Sequence, residues 1–250
     1  QMVHLSWEAI HHRDMQDFVT SATLHEQALV KRVELERPID ALMSLYNVLT
    51  MWLNALDYER AQAFYDRYEH VIDGVQGGFA IRLRYQGRRL KFLRQQPLEL
   101  EPEVEEVMGH VGPDSFEGLV MMTEAGIAWQ VGALDVAQDY ALRAQRIWRN
   151  FGASGLELLC SSLSCVLEQD ASMSIDAWME QLAQVEWPRL VVQTCGLLSH
   201  VFEEAEEKDA LRHCVTQRMN DIPASILDLR LECISLRQAC AWLDLDEPLL

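Results

Sequence analysis

Leu45-Tyr46-Asn47-Val48-Leu49-Thr50-Met51-Trp52 sets a bulky residue, an inner pair three positions on, and a second bulky residue three positions after that. The same spacing returns at Leu83-x-x-Gln86-Gly87-x-x-Leu90 and at Met122-x-x-Ala125-Gly126-x-x-Trp129. Weaker copies follow at Leu156-x-x-Leu159-Cys160-x-x-Leu163 and Val192-x-x-Cys195-Gly196-x-x-Ser199. Successive copies stand about 34 to 39 residues apart, the length of one helix pair. A single pair cannot bury its own apolar face, so such units stack, and the stack acts by offering a surface. Binding is therefore the expected mode of action.

Outward from these copies, apolar residues recur at helical spacing, and β-branched alternation between turn residues is absent. The expected fold is all-α, an α-α superhelix of about six antiparallel helix pairs. Helices fill 6–36, with Phe18, Ala22, Leu29 and Val33 as a buried stripe. Pro38 opens a helix over 39–56, where its missing amide donor costs nothing, and 58–72 is the return. Gly74, Gly77 and Gly78 end that pair. The helix 79–96 stops at Pro97 and Pro102, and a short return covers 103–111. The later pairs are 116–132 with 134–150, 156–168 with 175–185, and 188–206 with 209–219. A last helix over 225–243 sets Ile226, Leu229, Cys233, Leu236 and Cys240 on one face. No linker interrupts the series. It reads as a single helical-repeat domain, 1–250, with N-terminal helices in 1–38, helix pairs in 39–220 and a C-terminal capping helix in 224–250.

Composition narrows the function. A net charge of −18 opposes the phosphate contacts that nucleic-acid binding needs. No apolar run approaches the roughly 20 residues of a bilayer span, and the N-terminus has no secretion signal. The opening Gln1-Met2 reads as the edge of one portion of a larger protein. Cys160, Cys165, Cys195, Cys214, Cys233 and Cys240 contain no CxxC pair and read as free buried thiols, which fits a cytoplasmic chain. His11 and His12 are adjacent and point apart on a helix, so they make no metal site. Trp52, Trp129 and Trp148 read as core, and Trp178, Trp187 and Trp242 are assigned there ahead of a role as exposed anchors. No HExxH motif, phosphate-binding loop or nucleophile elbow occurs. The expectation is a non-enzyme without cofactor or metal.

Two units resemble the tetratricopeptide repeat, whose pattern is W-x₂-L-G-x₂-Y followed by A-x₃-F. Leu45, Val48, Leu49 and Trp52 take the first-helix positions, Asp57-Tyr58-Glu59-Arg60-Ala61 forms the turn, and Ala61-x₃-Tyr65 stands for A-x₃-F. Around Gly126 the match continues through Gly132-Ala133-Leu134-Asp135-Val136-Ala137, then Ala141 and Ala144. Leu49 replaces the usual glycine, and extra residues occupy 97–102 and 170–174. Irregular repeats of this kind are similar to the sensor domains of bacterial regulators. The resemblance implies a groove lined by the first helices of successive pairs, in which an extended or helical peptide is held.

The charge pattern adds a candidate for that groove. Residues 79–96 carry Arg82, Arg84, Arg88, Arg89, Lys91 and Arg94 with no acid, and Glu99, Glu101, Glu103, Glu105 and Glu106 follow with no base. In the repeat register Leu83, Gly87 and Leu90 face inward, while Arg84, Tyr85, Arg88 and Lys91 line the concave side. Tyr46, Asn47 and Asn54 approach from the preceding unit, and Thr123, Glu124 and Gln130 from the following one. Guanidinium groups bind carboxylates through paired hydrogen bonds, so an acidic protein or peptide partner is expected. The bland alternative is that these arginines only pair with nearby glutamates, each pair contributing about 0–1 kcal/mol. The functional alternative is a ligand-sensing and oligomerisation domain of a bacterial transcription regulator, which includes a homo-oligomer.

Overall fold

The computed structural model describes residues 2–15, 17–34, 38–73, 77–100, 104, 115–171, 173–222, 230–231 and 234–245. Twelve helices occur among the described residues: α1 Met2–Asp14, α2 Phe18–Glu34, α3 Pro38–Asn54, α4 Tyr58–Asp73, α5 Gly78–Leu93, α6 Ser115–Gln130, α7 Leu134–Asn150, α8 Ser154–Glu168, α9 Ile175–Leu182, α10 Pro188–Leu198, α11 Ala205–Met219 and α12 Leu236–Trp242. The one departure from helix and turn among them is a two-residue antiparallel pair, β1 Arg230–Leu231 with β2 Ile234–Ser235. The protein is all-α, as its periodicity requires. None of these helices is long and apolar enough to cross a membrane.

Packing gathers the chain into two compact units, one of residues 1–96 with 103–111, the other of 97–102 with 112–250. The division falls at the Pro97–Pro102 break. In the first unit α2 lies between α1 and α3, and α5 packs on both α3 and α4. In the second, α7 packs on α6 and α8, and α10 contacts α8, α11 and α12. Two helices are enclosed on all sides: residues 120–128 of α6 and 190–198 of α10 are buried without interruption. By contrast α7 buries only Ala137, Ala141, Ala144 and Trp148, one stripe at helical spacing. Trp129 of α6 meets Trp242 of α12 edge to face, centroids 6.1 Å apart.

One helix ending recurs. After α3, α5, α6, α7, α8 and α12 the chain enters the left-handed region at Leu56, Gln95, Gly132, Gly152, Gln169 and Asp244. The next amide then reaches back five residues, as in Asp57 N to Trp52 O (3.1 Å), Ala133 N to Ala128 O (2.9 Å) and Ala153 N to Trp148 O (3.0 Å). This pattern satisfies carbonyls that the helix end leaves without partners. Asp57 then caps α4 by accepting from Arg60 N at 3.1 Å, and Asp17 caps α2 through Thr20 N at 3.2 Å.

Three expectations change. Ala22 and Leu29 are buried, but Phe18 is half-buried and Val33 is 57% exposed, because α2 turns its Ser21, His25 and Arg32 side inward instead. The helix expected over 188–206 ends at Leu198: Ser199 Oγ donates to Gly196 O, and Val201 and Phe202 amides fold back onto Leu198 O, which draws Phe202 into the core. Of the helix expected over 225–243, the described part is α12, which begins at Leu236 after the extended residues 234–235. Ser235 Oγ accepts from Gln238 N while the Gln238 side chain accepts from Ser235 N, a capping box that fixes the start. Upstream of it, Gln193 Nε2 donates to Ile234 O at 2.7 Å and holds that segment extended. Leu236 and Cys240 are buried as expected; Ile226, Leu229, Cys233 and the return helix expected over 103–111, apart from the buried Val104, lie outside the described residues.

Candidate functional site

The basic helix α5 is seated by its small and apolar side. Leu83 and Leu90 are fully buried, and a Cβ on Gly87 would fall 2.4 Å from the Tyr65 ring. Tyr65 of α4 therefore rests directly on the Gly87 backbone, an approach that a side chain at 87 would block. Gln86 is also buried and donates to Thr50 Oγ1 of α3 at 3.3 Å. What remains on the solvent side is a stripe at helical spacing: Arg84 and Lys91 exposed, Arg88 half-buried between them and Ile81 half-buried one turn before. At the first turn of α5 the exposed Phe79 meets Tyr46 edge to face, with ring centroids 6.4 Å apart.

Of the nine residues expected to read a partner, Arg84, Arg88 and Lys91 share this stripe. Tyr46, Asn47 and Asn54 are half-buried on α3. Tyr85 is a correction: it is 4% exposed and belongs to the packed side, since α5 is gripped by α3 and α4 together and one residue of rotation moves a side chain about 100°. Thr123 is the second correction, 2% exposed, and Glu124 beside it is fully buried, because α6 is enclosed on every side. Gln130 is exposed at the end of α6. Arg89 is buried, and Arg94 pairs with Glu59 at 3.1 Å, as the bland reading expects.

Other polar groups were less legible. The described cysteines are free, and Cys160, Cys165, Cys195 and Cys240 are buried. Cys214 is half-buried and hydrogen-bonds with Cys195 across the α10–α11 contact. That bond brings the Cys214 thiol down to about 7, against its burial and helped by Arg218, while Cys195 is pushed well above the ordinary value. Burial raises Cys240 to about 11. Thiolates are the reactive form, so iodoacetamide at neutral pH labels Cys214 first among these three. Mass spectrometry should place its labelling midpoint near pH 7, and Cys195→Ala should move that midpoint up; an unmoved midpoint removes the thiol pair as the cause.

Trp52, Trp148 and Trp178 are core residues, as expected. Trp187 is not: it is 40% exposed, with the Arg189 guanidinium 4.6 Å over its ring. It borders an open cleft of about 400 Å³ that is lined by residues 152–156, 184–187 and Leu190. Trp242 and Trp129 are half-buried against one another, and the His200 ring lies 4.5 Å from Trp242. Burial lowers the His200 pKa, with Lys208 adding to the effect. Among the described residues no group of three His, Cys, Asp or Glu side chains is placed to hold a metal ion. No family model matches the chain, and no curated protein or solved structure is significantly similar to it.

Proposed function

We propose that this chain is a non-catalytic interaction module of tetratricopeptide type, which captures an acidic segment of a protein partner on the basic face of α5. The observation that carries the reading is the Arg84, Arg88 and Lys91 stripe, presented on one helix of a chain whose net charge is −18. Arginines can grip carboxylates with two parallel hydrogen bonds, and a lysine one turn on extends the reach along an extended or helical peptide. The exposed ring of Phe79, backed by Tyr46, adds an apolar anchor at the start of the helix. A regulatory or assembly complex of the bacterial cytoplasm is the setting this role suits.

The test is fluorescence anisotropy with glutamate-rich peptides, comparing the parent chain with Arg84→Glu/Lys91→Glu. Hydrogen bonds to charged groups contribute about 1.5–3 kcal/mol each, so the double variant should lose at least roughly 100-fold in affinity, and added salt should weaken the parent. A variant with unchanged circular dichroism and unchanged affinity rejects the proposal.

The cleft beside Trp187 favours a second reading, a ligand-sensing domain, because about 400 Å³ is within the size range of small-molecule sites. Metabolites that stabilise the fold in a thermal-shift screen, with the effect lost in Trp187→Ala, would support sensing over peptide capture.

A further inference from the structure

The inward side of α2 is unexpectedly polar. Ser21, His25 and Arg32 fall on it at spacings of four and seven, and all three are buried. Ser21 Oγ donates to Ala9 O at 2.8 Å and is satisfied. Arg32 is 8% exposed. Its Nη1 donates to Ser44 Oγ of α3, its Nη2 donates to Ser6 Oγ of α1 at 3.1 Å, and its Nε has no partner. His25 is 4% exposed, and its Nδ1 also lacks a partner. Burial first, then Arg32 and Arg13, lowers His25 to about 4, so its ring is neutral at pH 7 and has one N–H to give.

A cation taken out of water costs several kcal/mol unless a counter-charge accompanies it. This chain has acids in excess, and Arg60, Arg94, Arg149 and Arg212 each reach a carboxylate at 3.3 Å or closer. Arg32, more buried than any of these, instead meets two neutral hydroxyls. No carboxylate among the described residues pairs with it. Each serine oxygen accepts from the guanidinium and keeps its own O–H proton. Among the described residues, the result is a cluster of donors drawn from three helices, with one positive charge and no carboxylate paired to it.

We propose that the junction of α1, α2 and α3 is an oxyanion-binding site, where Arg32, His25, Ser6 and Ser44 hold a small carboxylate or a tetrahedral oxoanion. The guanidinium supplies the charge and a fork of N–H groups that fits an O–C–O or O–P–O edge. The serines and the imidazole donate from the flanks. Ser6 is half-buried, so the α1 side is the route of entry. The bound anion ties all three helices together. This site lies on other helices than the α5 stripe, so either reading stands if the other fails.

Thermal denaturation of the whole chain at constant ionic strength tests it, with sodium acetate and sodium phosphate each replacing sodium chloride. A saturable rise of about 5 °C or more is expected at an excess of about 100 Kd over the chloride control. Acetate as the stabiliser identifies a carboxylate ligand, and phosphate a tetrahedral one. Arg32→Met should abolish the rise and, lacking a lone buried charge, be no less stable than the parent in chloride. In the unsubstituted chain, the His25 ring followed by NMR should titrate higher when the anion is present, because a neighbouring negative charge favours its protonated form. That measurement needs no variant and decides the matter if Arg32→Met fails to fold. No rise with either anion, an equal rise in Arg32→Met, or an unmoved His25 titration overturns the proposal.

Discussion

Trp178→Ala is expected to lower stability by about 3–5 kcal/mol, the range for removing a fully buried aromatic side chain. Trp178 is the largest fully buried side chain described, on a helix of eight residues that packs on α11. A helix that short does not hold itself together in water, so α9 depends on what it buries, and apart from Trp178 that is Leu182 alone. Its start is capped by Ser174, which accepts from Ala177 N at 3.4 Å. The cap directs the helix but cannot replace the ring. The melting temperature should fall by roughly 10 °C, and amides of 175–182 should lose hydrogen-exchange protection before the rest of the unit. Trp178→Phe should be much milder. The indole Nε1 is buried without a partner, so the ring swap also removes an unsatisfied donor that costs about 1–3 kcal/mol. If alanine and phenylalanine behave alike, the packing explanation is wrong.

The second large effect is expected at Gly196, in the middle of the enclosed helix α10. A Cβ there would lie 2.5 Å from Ala239 Cβ and 2.6 Å from Ala239 Cα in α12. The obstacle is main chain, so no rotamer change relieves it. Alanine gains about 1 kcal/mol of helix propensity over glycine, while overpacking costs about 1–3 kcal/mol, so Gly196→Ala should be destabilising by up to about 2 kcal/mol. Gly196→Leu should cost more than 3 kcal/mol and push α12 away. Detachment has a direct readout, because α12 carries Trp242, which touches Trp129 and His200. Tryptophan emission should shift to the red, and proteases should cut within 236–245. Gly118→Ala is the control: its nearest neighbour is the Trp148 ring, at 2.7 Å, which can yield where a backbone cannot. Equal losses at Gly196 and Gly118 would contradict this account.

Much of the fold was legible because the relevant signals are local. The expected boundaries of α4 and α7 lie within a residue of those observed, since Asp57 caps one and the αL residue Gly132 ends the helix before the other. The register that put Leu83, Gly87 and Leu90 inward was right because three- and four-residue spacing on a helix is fixed by its geometry. Four of the six left-handed helix ends carry no glycine, so Leu56, Gln95, Gln169 and Asp244 gave no sign of theirs. The capping box Ser235-x-x-Gln238 was readable in principle, and apolar periodicity running through it hid the break.

The candidate site was legible only in part. That Arg84, Arg88 and Lys91 fall on one stripe follows from their spacing alone. That Tyr85 and Thr123 are enclosed does not, because burial depends on how many neighbours grip a helix, and sequence periodicity describes one face at a time. The Arg32 cluster was invisible for the same reason: Ser6, Arg32 and Ser44 come from three separate helices and meet only through packing.

By itself, then, the sequence determined that this chain is helical, where most helices begin, and which side of α5 carries positive charge. Backbone propensity, capping and helical spacing act over a few residues. Only the tertiary structure decided which helices are fully enclosed, that α6 and α12 touch, and that a buried guanidinium meets two hydroxyls and, among the described residues, no carboxylate. Those outcomes depend on contacts between residues far apart in the chain, and no local pattern encodes them.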